Sequence, residues 1–450
     1  MQVTEIHAVG LMRQLQIDVA AKDINDRCDM RLDEISGTAE IRGFRKGKVP
    51  KTYLKKVYGR RLMAEVLQQV VEESSRKALT DRKERPASQP EINLPENQAD
   101  IEGAFSGGSG FSYIMKYEVL PTINLIDFEK LNLERPVMEI NEDDIHDKLG
   151  ELAKYNLIYD VHADIAEQGD KLTIDFSGLI NGEPFEGGVA ENVELVIGQG
   201  GFIEGFEQGL KGAKLDEKRF ITTVFPKDYP VEALREKQAI FEVTIKKLSR
   251  PRPSEINDDL AKNMGLNDLN ELKDTVKVQL SNEYLRIARS KLKRQLLDAL
   301  DQSHSFELPK SLCDGEFSSA WKELTGQMEK DGKSFNDLKK SESDLRLDYT
   351  KLAERRVRLG LIIGEVGDRF GISVSKDELR EAIVQQARTH PGKEQQVFDF
   401  YENTPGAINQ IRAPIFEEKV VDFLLGKSNV QDRKVSKSEF LSIIESDSMN

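Results

Sequence analysis

The period of the apolar positions changes along this chain, and each change marks a different kind of element. Leu11, Leu15, Ile17 and Val19 fall in short alternating stretches; Ile24, Cys28, Leu32 and Ile35 then recur at spacings of four and three. The second pattern is one face of an amphipathic helix. Tyr53, Leu54, Val57, Leu62, Val66 and Val70 predict another helix within residues 51–78. Residues 86–121 are turn-rich and end in FSYIMKYEVL, a strand stopped by Pro121. Residues 122–158 hold an extended piece, LNLERPVMEI, and a helix opening at Asn141, with Asp144 in its first turn.

The helical period then disappears. Between residues 160 and 248 the alternating runs KLTIDFSGLI, VELVIG, RFITTVF and AIFEVTIKKL are separated by turns such as Asn181–Gly182, with one short helical candidate, GFEQGL. This predicts a small antiparallel β domain. Pro251 and Pro253 punctuate its exit. From 255 to 427 the pattern is helical throughout. Leu269, Leu272, Val276 and Leu280 form a stripe continued by Leu292, Leu296 and Leu300. Trp321, Leu324 and Met328 form a second; Leu352, Leu359, Ile362, Ile363 and Val366 a third; Phe416, Val420, Val421, Phe423 and Leu424 a last one. Ser375 with Glu378 is a capping-box pattern. Trp321 and Met328 are expected in the core. Residues 431–450 are polar and are expected to fray as a flexible tail.

The chain is therefore read as a multidomain α+β protein. Residues 1–120 form an α+β domain, 121–159 a connector, 160–248 the antiparallel β domain, and 249–430 an all-α domain. Length supports this: 450 residues exceed one ordinary core. Charged residues make up 32% of the chain, above the usual figure of about 25%, so the domains expose much wetted surface. The narrow apolar stripes of the C-terminal helices suit extended arms more than a thick bundle.

Charge sharpens one segment. The formal net charge is −14, which argues against general nucleic-acid binding. Yet the stretch from Arg42 to Arg61 holds nine basic residues and no acidic one. Within it, GFRKGKVP places Phe44 between Gly43 and Gly47, flanked by Arg45, Lys46 and Lys48 and stiffened by Pro50. An aromatic anchor in a cationic surround suits a mixed surface of protein and RNA phosphate. The plainer alternative is a solvated basic helix with Phe44 packed inward.

Other chemistry is not written in the chain. The two cysteines, Cys28 and Cys313, form no CxxC and read as reduced thiols. The five histidines are dispersed, so no metal site or catalytic triad is expected. No phosphate-binding GxxxxGK[ST] loop occurs, so no nucleotide-driven cycle is expected; GQGGFIEG lacks the strand–helix context of a dinucleotide site. No cofactor is called for. No signal peptide and no run long enough to cross a membrane is seen, which points to a cytoplasmic protein.

The motif G-F-R-x-G-x-x-P, here Gly43, Phe44, Arg45, Gly47 and Pro50, resembles the ribosome-docking signature of the bacterial trigger factor family. The resemblance implies that residues 43–50 contact the ribosome, protein and rRNA, at the exit of the peptide tunnel. Four runs in the β domain, 169–188, 193–212, 223–230 and 241–248, are similar to the FKBP-type peptidyl-prolyl isomerases. That similarity implies a proline pocket at Phe176, Phe185, Glu186, Ile203, Phe206, Tyr229 and Phe241. Glu204 stands where that family commonly has a proline or a small residue, and Phe206 where many stand-alone isomerases have Trp. The physical reading is compatible: an X–Pro bond rotates over a barrier of about 18–20 kcal/mol, and a dry apolar pocket favours the twisted amide without any acid, base or nucleophile. Tyr229 and the backbone near Ile203 could donate hydrogen bonds to a substrate carbonyl. These aromatics also serve as the core that a small β domain needs in any case.

The helical region resembles the trigger-factor C-terminal domain more loosely, through APIFEEKVVDFLL at 413–425. The whole resemblance implies a ribosome-associated, ATP-independent chaperone that holds nascent and unfolded polypeptides, and dimerises when free. Links to protein transport and cell division come with it. Two other readings stand beside it: a holdase with a vestigial pocket, and a free-standing isomerase without a ribosomal role.

Overall fold

The structure, a computed structural model, describes residues 1–38, 51–95, 108–162, 165–338, 340–404 and 406–448. The alternation at Leu15, Ile17 and Val19 becomes strand β2 (Met12–Val19), which pairs antiparallel with β1 (Gln2–Val9). Helices α1 (Ala21–Thr38) and α2 (Lys51–Arg82) follow, then β3 (Glu91–Asn93) and β4 (Phe111–Glu118). The sheet order is β1-β2-β4-β3. Its inner face, with Leu15, Ile17, Tyr113 and Met115, packs on Ile24, Cys28 and Leu32 of α1 and on Leu54, Leu62, Val66 and Val70 of α2. Tyr53, expected in the α2 stripe, is exposed: it lies one residue, and so about 100° of helix rotation, from buried Leu54. The side chain of Val57 lies outside the described residues. The Tyr113 hydroxyl meets those of Ser74 and Ser75 at 2.7 and 2.8 Å, so its burial leaves no polar group unsatisfied.

Strand β5 (Asn132–Val137) leads to α3 (Glu142–Tyr155), whose capping box is reciprocal between Asn141 and Asp144. Strands β6 (Leu157–Val161), β7 (Lys171–Ile180) and β8 (Glu183–Val196) come next. β7 and β8 join through Asn181–Gly182, both at positive φ, as a tight hairpin turn requires. A short helix α4 (Phe206–Leu210), β9 (Lys218–Val224) and the long β10 (Gln238–Pro253) complete an antiparallel sheet of order β6-β10-β7-β8, with β9 on β10. Pro251 and Pro253 continue β10 instead of ending it. They pair opposite Tyr159 and Leu157 of β6, beyond the last residue of β10 that pairs with β7, where a missing N–H breaks no ladder bond on that side.

The remainder is helical, as the pattern predicts: α5 (Asp258–Asn263), α6 (Leu269–Ser303), α7 (Lys310–Asp331), α8 (Glu342–Phe370), α9 (Lys376–Arg388), α10 (Glu394–Asn403) and α11 (Ala407–Lys427). Trp321 of α7 is half-buried between Phe317 and Phe335, with the Arg346 guanidinium 4.5 Å over its ring; Met328 is buried. Leu352, expected in the α8 stripe, is exposed, while Ile362, Ile363 and Val366 are buried.

The tail departs from expectation. β11 (Asn429–Lys434) pairs with β5, and α12 (Lys437–Ser448) follows. Phe440 is 1% exposed, its ring 5.1 Å from that of Tyr284, and Lys437 reaches Asp144 and Asp147 at 2.8 and 2.9 Å. Among the described side chains, buried Phe440 and doubly paired Lys437 anchor the segment.

The chain divides into two compact units, Met1–Arg135 with Lys291–Gln431, and Pro136–Ser290 with Asp432–Asn450. In the first, the Glu118 carboxylate ends β4 and accepts from the N–H groups of Lys310 and Ser311 at 3.0 and 2.7 Å, so the sheet caps the N-terminus of α7. The single stripe read along α6 is shared: Leu272, Val276 and Leu280 belong to a core with Ile145 and Leu149, and Leu292, Leu296 and Leu300 to one with Ile362 and Val420.

Candidate proline-binding site

The sheet of the second unit and α4 enclose an aromatic cluster. Phe176 projects from β7, Phe241 from β10 and Phe206 from the first residue of α4. The three ring centroids stand 5.2–6.0 Å apart in edge-to-face contacts. Phe206 and Phe241 are buried, and Phe176 half-buried. Such pairs add about 0.5–1.5 kcal/mol each to the burial itself. Phe185, from β8, meets Phe241 at 6.0 Å and Phe225 at 5.8 Å; Phe225 in turn meets Tyr229 at 4.7 Å. Rings from five segments therefore form one continuous wall.

The wall is shaped by a missing side chain. A Cβ on Gly178 of β7 would lie 2.6 Å from the Phe241 ring and 2.9 Å from that of Phe185. Glycine there lets two rings approach the sheet closely.

Two hydrogen-bond donors face no protein partner among the described residues, the Tyr229 hydroxyl and the Ile203 N–H, and both belong to residues packed against this core. Glu186 follows Phe185 but is exposed, so it supplies charge beside the wall and no part of it. Of the seven residues expected here, six are packed into or against one cluster and Glu186 is not.

Three participants escaped the sequence reading. Phe202 stacks on Phe206 at 5.0 Å with 14° between the planes, and Phe225 bridges Phe185 to Tyr229. Glu207 is the third. Buried at the start of α4, its carboxylate accepts from the N–H groups of Gly198, Gly200 and Phe202 at 2.7, 3.2 and 3.2 Å. Burial pushes its pKa up, but these bonds, with that of Gly201, more than offset it and hold the group below the usual carboxylate value. Glu207 thus folds the loop that presents Phe202 and Ile203. The signal available was a second acidic residue, three after Glu204, in the glycine-rich run VIGQGGFIEGFEQGL.

The basic loop Gly43, Phe44, Arg45, Lys46, Gly47, Lys48 and Pro50 lies outside the described residues. Among the described residues no group of three or more His, Cys, Asp or Glu side chains could hold a metal ion, and no helix is long and apolar enough to cross a membrane. Neither Cys28 nor Cys313 is in a disulfide.

The chain is similar to known proteins over most of its length. Residues 1–152 match a family described as bacterial trigger factor protein, residues 163–246 the FKBP-type peptidyl-prolyl cis-trans isomerases, and residues 268–426 the bacterial trigger factor C-terminus. The trigger factor of Methylocella silvestris is 44% identical over 444 residues, 98% of this chain and 96% of that one. Those of Brucella anthropi and Rhizobium johnstonii are 40% and 41% identical, each over 98% of this chain and over 92% and 89% of their own. A solved trigger factor chaperone, studied for promiscuous substrate recognition in folding and assembly, superposes over 95% of this chain and 99% of its own, with a TM-score of 0.55 at 18% identity; that likeness bears on the fold.

Proposed function

The chain belongs to the bacterial trigger factor family, ribosome-associated chaperones with an FKBP-type peptidyl-prolyl isomerase domain, and from that premise we propose how its parts divide the work. Residues 1–120 dock on the ribosome, with Phe44, Arg45, Lys46 and Lys48 as the contact. Residues 160–248 isomerise X–Pro bonds, and residues 249–430 hold nascent and unfolded chains without ATP. The cytoplasm is the compartment that gives access to ribosomes, and any part in protein transport or cell division would follow from the clients held.

The observation that carries the isomerase reading is the aromatic wall with two unused donors beside it. Phe176, Phe206 and Phe241 receive the proline ring, and the dry surroundings disfavour the planar, dipolar amide. The Ile203 N–H and the Tyr229 hydroxyl donate hydrogen bonds to the substrate carbonyls, fixing one side while the other rotates. Rotation needs no proton transfer, which suits a site whose charged residues lie at its edge or, like Glu207, are consumed in holding a loop.

The test has two arms. Tyr229→Phe, which keeps the ring contact with Phe225, lowers kcat/KM on a short X–Pro peptide by about tenfold or more, equivalent to about 1.4 kcal/mol. The triple change Phe44→Ala, Arg45→Ala, Lys46→Ala leaves that rate alone and abolishes cosedimentation with ribosomes. An unchanged rate in the first arm removes the pocket assignment; a triple variant that still pellets removes the docking assignment.

A further inference from the structure

β9 is an edge strand, and the parity of its hydrogen bonds tells which residues face outward. Phe225 donates to the Lys237 carbonyl at one end, and the Ile245 N–H donates to Glu217 at the other. The register Gln238↔Val224, Ile240↔Thr222 and Glu242↔Phe220 connects these ends without a bulge. Odd-numbered residues therefore bond to β10, and the N–H and C=O groups of Phe220, Thr222 and Val224 point away from the sheet. Among the described residues none of these groups has a partner.

Edges of this kind are ordinarily blunted by charge, proline or a bulge. Here that protection is confined to the first residue of the strand, Lys218. Arg219 turns away and donates to the carbonyls of Gly209, Lys211 and Gly212, and Lys218 is paired with Glu242. The outer face is apolar instead: Phe220 is 72% and Val224 53% exposed, and Ile240 continues the patch on the neighbouring strand. The strand then runs straight into Phe225 and Tyr229, the wall of the proline site.

We propose that the free edge of β9 is a second polypeptide site, where an extended, alternately apolar segment of an unfolded client adds as a further strand beside Phe220, Thr222 and Val224. The proposal rests on the chaperone reading above. Main-chain bonds supply affinity independent of sequence, and the Phe220–Val224 face selects apolar side chains at every second position. Three outward residues offer far less than the roughly 1,200 Å² of a stable protein–protein interface, so the site fits a weakly held strand better than a second copy of the chain. Its position lets a segment without proline be held while a neighbouring X–Pro bond occupies the pocket.

The probe is a short proline-free peptide of alternating valine and threonine with lysine ends, added to the full chain. Binding is read by fluorescence anisotropy and the site by amide hydrogen exchange across residues 219–225. The amides of Phe220, Thr222 and Val224 are expected to slow at least tenfold at saturation. The same peptide N-methylated at alternate residues, and the variant Thr222→Pro, both abolish that protection, while isomerisation of a short X–Pro peptide by the variant stays at the wild-type rate. Binding without protection of these amides overturns the β9 site and leaves the chaperone reading standing. No binding at all also overturns the β9 site; the chaperone reading falls only if the full chain in addition fails to suppress aggregation of an unfolded protein. Protection that rises with protein concentration in the absence of peptide overturns the client assignment in favour of self-association through this edge.

Discussion

Glu207 shows how one residue can decide the shape of a site without touching a substrate. Its carboxylate is buried, and it survives there because backbone N–H groups of the 198–202 loop converge on it. The folded-state pKa lies below the value of about 4.5 expected in the unfolded chain. The stabilisation is therefore complete above pH 4.5 and fades as pH falls through the lower, folded value. Glu207→Gln replaces one acceptor oxygen by a donor facing other donors. The variant is expected to lose about 1.5–3 kcal/mol at neutral pH, seen as a lower urea midpoint for isomerase activity, and to show a shallower loss of stability below pH 4.5. Equal midpoints at neutral pH would remove the role given to Glu207. Of the rings packed together here, Phe202 and Phe225 were missed, while Phe176, Phe185, Phe206, Tyr229 and Phe241 were readable through the resemblance of their runs. Glu207 was not, because an acidic residue in a loop is ordinarily solvated, and only the fold shows four N–H groups aimed at one point.

Elements were readable where periodicity was long or a cap was written out. The reciprocal boxes at Asn141–Asp144 and Ser375–Glu378 appear as expected, each satisfying two end donors of its helix. Lys419, the long-range partner that draws Glu378 down to about 2, had no local signal. The tail was misread for a related reason. Among the described side chains of α12, Phe440 is the buried one, in an apolar run too short to stand out beside its serines and acids, and Lys437 finds Asp144 only through the fold. Phe440→Ala removes that anchor at a cost of about 3–5 kcal/mol, the range for deleting a buried ring. The expected result is faster amide exchange throughout residues 437–448 and rapid tryptic cleavage at Lys437, with isomerase activity retained. Exchange unchanged from wild type would mean that β11 and the Lys437 ion pairs hold the helix without the ring.

At the scale of the molecule, the two candidate activities draw on different residues. The proline site is built in the unit Pro136–Ser290 with Asp432–Asn450. The helices of the other unit leave apolar side chains in water, among them Leu347 of α8 and Phe400 of α10. Scattered exposed apolar groups suit weak, promiscuous contact with unfolded chains. Strands from Leu157 to Pro253 and helices from Asp258 onward follow the changes of period at residues 160 and 255, whereas nothing local to β4 announces that Glu118 caps α7. Separate residues predict separable losses. Tyr229→Phe should slow isomerisation and leave suppression of aggregation of an unfolded, proline-poor protein at the wild-type level by light scattering. The pair Leu347→Ser, Phe400→Ser should do the reverse. Each change lies on the surface and is expected to shift stability by no more than about 0.5 kcal/mol, so lost holding would report lost contact with the client. If the serine pair slows isomerisation of a short X–Pro peptide as much as it weakens holding, the two activities share a surface, and the assignment of holding to the helical region falls.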